Sequence, residues 1–262
     1  MRPIHPFPAR MAPDTVGRLI HGLPIKATIL DPMCGSGVVL RLAAKAGIPS
    51  IGFDVDPLAV LMSRVWTRRT SVKSALIEAE NFVVLARRRR SHECRLPWID
   101  DCAETKQFVK YWFAGRQRLQ LRRLSYVLSK DRNRLPAHIR ECLWLALSRI
   151  IVTKHVGASL AWDVSHSRPH KVRESNDFDV EEMFLQSTAR LVKILDEEQL
   201  ERSARVRTGD CRNIEHIGRH SVDAVITSPP YLNAIDYLRG HKFSFVASGK
   251  RLEFGVARSP VT

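Results

Sequence analysis

Two short stretches of this 262-residue chain place chemistry-bearing residues at the ends of apolar runs. The first is Asp31-Pro32-Met33-Cys34-Gly35-Ser36-Gly37, between a strand candidate and a helical pattern. Such strand-to-helix junctions are where open α/β sheets bind ligands. Gly35 and Gly37 permit backbone angles and a close approach that a side chain would forbid. The spacing is not the G-x-G-x-x-G of dinucleotide sites, and the lysine of a phosphate loop is missing. Asp54 stands 19 residues beyond Gly35, at the end of the next strand candidate. An acidic side chain there can accept both hydroxyls of a ribose. Taken alone, a tight turn and an ordinary strand-end aspartate explain these residues equally well. The second stretch is Ser228-Pro229-Pro230-Tyr231, directly after an apolar run. Two prolines fix the backbone there without donating hydrogen bonds. Carbonyl oxygens and the Ser228 hydroxyl then face outward as acceptors. They suit an amine nitrogen whose lone pair must be freed from ring conjugation before it attacks a methyl sulfonium. Tyr231 can stack on a planar base taken out of its helix; the alternative is a Pro-Pro turn with Tyr231 packed in a core.

To hold these residues, the chain needs a parallel sheet, and its first and last parts have that grammar. Residues 27–30 read as a strand ending at Asp31, 38–46 as a helix, and 48–53 as a strand ending at Asp54. Asp56 can cap a helix that starts at Pro57 and continues over 58–65. Residues 205–208 and 221–227 read as further strands. Between them, 76–85, 105–128, 137–152 and 181–201 have helical spacing, while 165–173 is a polar, basic loop. The chain therefore divides into an α/β domain, 1–66 with 204–262, and a helical insertion over 67–203.

Charge follows the same division. The net charge is +15. Residues 64–173 carry 24 Lys and Arg against 9 Asp and Glu, whereas 1–63 carry 6 against 4 and 174–262 carry 12 against 14. A basic segment in an otherwise balanced chain points to a polyanion, nucleic acid first, and a solvated arginine-rich surface is the plainer alternative. Phosphate-contact candidates are Arg87–Arg90, Arg122, Arg123 and the basic residues of 168–173. No run of about 18 apolar residues spans a membrane, and no secretory signal opens the chain. Five scattered cysteines without a C-x-x-C pair argue against a disulfide framework or zinc site and for a reducing cytoplasm.

Together, DPMCGSG (31–37), GFDVDP (52–57), the Thr208-Gly209-Asp210 strand end and TSPPY (227–231) resemble the successive motifs of the S-adenosylmethionine-dependent amino-methyltransferases of DNA. HPFPARM (5–11) resembles the motif these enzymes place against the methionine end of the cofactor. The likeness covers about residues 4–66 and 205–245. The resemblance implies a Rossmann-like class I methyltransferase sheet with S-adenosylmethionine as cofactor and double-stranded DNA as partner. Asp31, Pro32, Cys34, Gly35 and Gly37 would then surround the amino-acid end and sulfonium of the cofactor, Asp54 its ribose and Asp210 its adenine amine. Ser228, Pro229, Pro230 and Tyr231 would form the pocket for the target base, with Asp236 and Tyr237 a helical turn beyond. Transfer would be direct, because the Pro-Cys nucleophile of cytosine-C5 enzymes is absent. The SPPY form is typical of cytosine-N4 enzymes, often found in restriction–modification. An adenine-N6 or RNA base enzyme, and an inactive nucleic-acid-binding relative, are the alternatives.

A complete sheet of that family has seven strands, three of them after the one bearing SPPY. Only 31 residues follow Tyr231, enough for a helix over 235–248 and a short strand over 251–257. The expectation is a sheet incomplete at this edge, with a second chain as one source of the missing strands.

Overall fold

The computed structural model describes residues 2–5, 10–69, 71–130, 134–151, 156–162, 170–214, 217–229 and 243–244. It is an α/β protein. Helix α1 (Pro13–His21) leads into strand β1 (Ile29–Asp31), helix α2 (Val38–Lys45), strand β2 (Ser50–Asp54) and helix α3 (Pro57–Trp66). All three residues of β1 are buried, the pattern of a central parallel strand covered on both faces. Pro57 opens α3, and the Asp56 carboxylate accepts from Leu58 N–H at 2.8 Å, so the expected cap forms.

A helical block follows: α4 (Ala75–Arg87), α5 (Pro97–Asp100), α6 (Ala103–Trp112), α7 (Gly115–Lys130) and α8 (Ala137–Arg149). The pair β3 (Ala161–Trp162) and β4 (His170–Lys171) precedes α9 (Val180–Glu197), which Asp179 caps through Glu181 and Glu182 N–H. The run 105–128, expected as one helix, divides in two. Phe113 turns extended and sinks into the core, and Gly115, a poor helix former, opens α7. The strand expected over 221–227 is shorter, Ala224–Val225. The helix expected over 235–248 and the strand over 251–257 fall outside the described residues, apart from 243–244.

Strand β5 (Arg205–Thr208) and β6 (Ala224–Val225) complete a four-stranded, all-parallel sheet in the order β5-β2-β1-β6. The chain runs outward from β1 through β2 to β5, then returns to the other side of β1. The reversal between β1 and β6 is the point in such a sheet where ligands characteristically bind, outside the carboxyl ends of the strands. The helical block does not stand apart from the sheet. Helix α3 packs on α8, α8 on α9, and α4 on α7 and α9. Ile29, Val39, Met62, Trp66, Phe82, Leu143 and Phe184 accordingly belong to one continuous buried cluster. None of the described helices is long and apolar enough to cross a membrane.

One buried charge ties the layers together. The Arg41 side chain on α2 is 1% exposed. It donates to the Trp66 carbonyl at the end of α3, and to the Glu198 carbonyl and carboxylate, at 2.9 and 3.2 Å, just past α9. Its planar fork reaches three acceptors that a lysine could not bridge together. Arg41→Ala is expected to destabilise the fold by about 3 kcal/mol, since it strands buried acceptors. Arg41→Lys should recover less than half, and urea unfolding followed by circular dichroism would check both.

Candidate functional site

The carboxyl ends of the four strands gather every described residue of the two motif stretches. At the reversal between β1 and β6, the Asp31 carboxylate is buried. Its Oδ1 accepts from the Thr227 hydroxyl at 2.8 Å and from Met33 N–H at 3.3 Å. Burial pushes the Asp31 carboxyl up to about 6, and nearby Asp54 adds to the shift, against the pull of those two donors. No lysine or arginine is among the causes of the shift. The site therefore holds an acid whose charge is disfavoured by burial and by a neighbouring acid.

The turn after Asp31 is seated on β2 and α3. Cys34 N–H donates to the Phe53 carbonyl at 2.8 Å, and Gly35 N–H to Asp54 Oδ2 at 2.8 Å. The Ser63 hydroxyl of α3 donates to the Gly35 carbonyl at 2.8 Å. Gly37 caps α2 with φ +87°, and a Cβ there would lie 2.6 Å from Ser63 Oγ. Pro32 is half-buried beside it. Cys34 is buried, and burial pushes its thiol up, away from nucleophilic character.

Asp54 ends β2 opposite Thr208 of β5. Its second oxygen, Oδ1, accepts from Asp56 N–H at 2.8 Å, and Gly209 N–H donates to its carbonyl at 3.1 Å. Asp210 follows on the same edge. The Arg212 guanidinium grips its carboxylate through two Nε contacts of 3.0 Å and holds it down to about 2. Ser228 lies half-buried and Pro229 exposed just past β6. Pro230, Tyr231, Asp236 and Tyr237 lie outside the described residues.

Other sequence candidates land elsewhere. His5 is buried, and its Nε2 meets the Ser148 hydroxyl of α8 at 2.8 Å, while residues 6–9 lie outside the described residues. Arg87 pairs with Glu181 at 2.7 Å. Arg122 is taken up by Asp100, with two contacts of 2.9 Å, and by the Cys94 carbonyl at 3.0 Å. Arg88, Arg89 and Arg90 stand exposed. Residues 168 and 169 of the basic loop lie outside the described residues.

Three residues of the arrangement escaped the sequence reading. Thr227 links the two stretches, and its place directly before Ser228 was the available signal. Ser63 is a small polar residue on the buried face of a mostly apolar helix, which is what a close backbone approach needs. Phe243, twelve residues after Tyr231, is buried among Phe108, Trp112 and Phe113 of the helical block. Beside it, Ser244 Oγ lies 2.8 Å from the same Ser148 hydroxyl that meets His5.

Neither a protein-family profile nor a curated protein sequence matches the chain.

Two outcomes follow from the packing and the charge. Gly37→Ala should cost about 2 kcal/mol in urea unfolding, combining a left-handed backbone penalty with the contact on Ser63. The second concerns pH. The native Asp31 carboxyl holds its proton to about pH 6, while the unfolded chain releases it near pH 4. The native state thus binds more protons in that window, and this group's stabilising effect falls as pH rises through it. Relative to Asp31→Asn, the wild type should lose up to about 3 kcal/mol between pH 4 and 6 and then level off. A constant difference across that range would contradict the burial of this charge.

Proposed function

We propose that the chain is an S-adenosylmethionine-dependent methyltransferase that modifies the exocyclic N4 amine of cytosine in double-stranded DNA. Its four-stranded parallel sheet is then the core of a class I methyltransferase fold. The observation that carries the reading is the Asp31 carboxylate, buried at the strand reversal, hydrogen-bonded to the residue before Ser228-Pro229, and facing no lysine or arginine that lowers its pKa. A ligand with a sulfonium and an ammonium group supplies the missing positive charge. The donor set also fits the rest of the group. Asp31 with the turn 34–37 would hold the amino-acid end. Asp54 would take the ribose hydroxyls: its carboxylate stands at the end of β2 beside the turn, with Oδ2 accepting from Gly35 N–H and Oδ1 from Asp56 N–H. Asp210 would accept from the adenine amine while keeping Arg212, an exposed pair that costs little to rearrange.

Bound S-adenosylmethionine supplies a methyl group activated by its sulfonium. The protein's own residues prepare the amine. The Ser228 hydroxyl and the carbonyls of the proline turn accept the N4 hydrogens and twist the lone pair out of conjugation. Tyr231 gives the base a face to stack on. These two roles rest on the motif resemblance. The basic residues 64–173 contribute affinity through phosphates and not the choice of sequence.

Titration calorimetry with S-adenosylmethionine is the first test. Micromolar binding is expected, at least about tenfold weaker in Asp54→Asn, which loses the charge and one of the two acceptor oxygens that Gly35 and Asp56 N–H use. With methyl-labelled cofactor, label should appear on cytosine of duplex DNA. Ser228→Ala should slow transfer about 100-fold with cofactor affinity unchanged. A folded wild-type chain that does not bind the cofactor would remove the reading, and label on adenine or RNA would change only the substrate.

A further inference from the structure

In the helical block, α5, α6 and α7 line a groove of about 420 Å³, within the range of roughly 300–1,000 Å³ that small-molecule pockets occupy. Its floor is apolar, with Leu96, Ile99, Val109, Leu121 and the rings of Phe113 and Phe243. Its rim is cationic. Lys106 and Lys110 stand one turn apart on exposed positions of α6, and Arg118 faces them from α7, its Nη1 3.4 Å from the Lys110 carbonyl. A fourth cation at the rim, Arg122, is already neutralised by Asp100. No aspartate or glutamate is among the described lining residues. Ser91 closes one end, and the exposed Arg88-Arg89-Arg90 run leads directly into it.

We infer that this groove takes an unpaired nucleotide of a nucleic-acid strand. Its base would lie on the apolar floor, and its flanking phosphates would meet Lys106, Lys110 and Arg118. A charged track beside aromatic side chains is the combination that binds single strands. The arginine run continues the positive track past the groove, which suits an extended polyanion better than a small free ligand. Phe243 belongs to the segment that follows the proline turn, so a strand here would touch the chain that leaves the candidate catalytic motif. The inference rests on the basic segment being a nucleic-acid surface and is independent of the cofactor site.

The test is fluorescence anisotropy of the full chain with a labelled oligothymidylate and with a duplex of equal length, over a salt series. The variant Lys106→Gln/Lys110→Gln/Arg118→Gln changes only rim side chains, and circular dichroism checks its fold. It should bind the single strand about tenfold more weakly, with a log–log salt slope shallower by about 2, and lose far less on the duplex. A second variant, Val109→Trp, fills the floor and should weaken the single strand without altering the slope. Unchanged single-strand binding in both variants would overturn the groove and leave the basic surface standing. Equal losses on single strand and duplex would overturn the unpaired nucleotide. Competition by polyglutamate or a free mononucleotide as strong as by unlabelled oligonucleotide would overturn the strand as ligand. A wild-type chain that binds no nucleic acid would remove both the groove and the surface.

Discussion

The close seating of the 34–37 turn against β2 and α3 is the constraint on which the rest of the structure depends. It works because bulk is missing at the contacts. A Cβ on Gly52 would lie 2.4 Å from Leu40 Cδ1 and 3.2 Å from Cys34 Cβ, and one on Gly37 would strike Ser63. With those atoms absent, backbone groups come within hydrogen-bonding range. Cys34 N–H reaches the Phe53 carbonyl, Gly35 N–H reaches Asp54, and the Gly35 carbonyl receives the Ser63 hydroxyl. The turn and the Asp54 carboxylate are therefore one positioned unit, because the acid that is the ribose candidate also orders the loop beside it.

A second unit forms across the strand reversal. Asp31 and Thr227 are 196 residues apart and share a hydrogen bond of 2.8 Å. The bond leaves the carboxylate in a site where its charge is costly, as its raised pKa records. Folding thus stores an unfavourable charge beside Thr227, directly before Ser228-Pro229. A cationic ligand would relieve it, which is how binding energy and site geometry become linked in the proposed function.

The helical block is coupled to both units. Arg41 joins α2 to the ends of α3 and α9, and Glu198 also receives Lys45 at 3.2 Å. Phe243 and Ser244, later in the chain than the Ser-Pro-Pro-Tyr stretch, dock onto α6 and α8. The segment that resembles no part of the motif set is therefore a wall of the same core and not an appendage. Its charge is unevenly used: Arg87, Arg116 and Arg122 pair with Glu181, Asp179 and Asp100, while Arg88, Arg89, Arg90, Lys106 and Lys110 stand exposed.

Local chemistry was legible in the amino-acid sequence. Apolar runs ending in Asp31 and Asp54, the Asp56-Pro57 helix start, and strand 205–208 carry their signal in local pattern, and they stand where that pattern puts them, although the strands' partners are distant in the chain. The break at Phe113 was not legible, because burying that ring against Phe243 is a contact across 130 residues that overrides helical spacing. Nor could spacing tell which arginines take part in ion pairs, since a pair depends on which acid the fold brings near. The sequence by itself determined the α/β character, the strand-end acids and the position of the basic segment. Only tertiary structure decided that Asp31 is desolvated, that Thr227 and Ser63 complete the site, and that the basic helices share the sheet's core. Burial and hydrogen bonding between residues distant in the chain set those outcomes, and neither is encoded in local pattern.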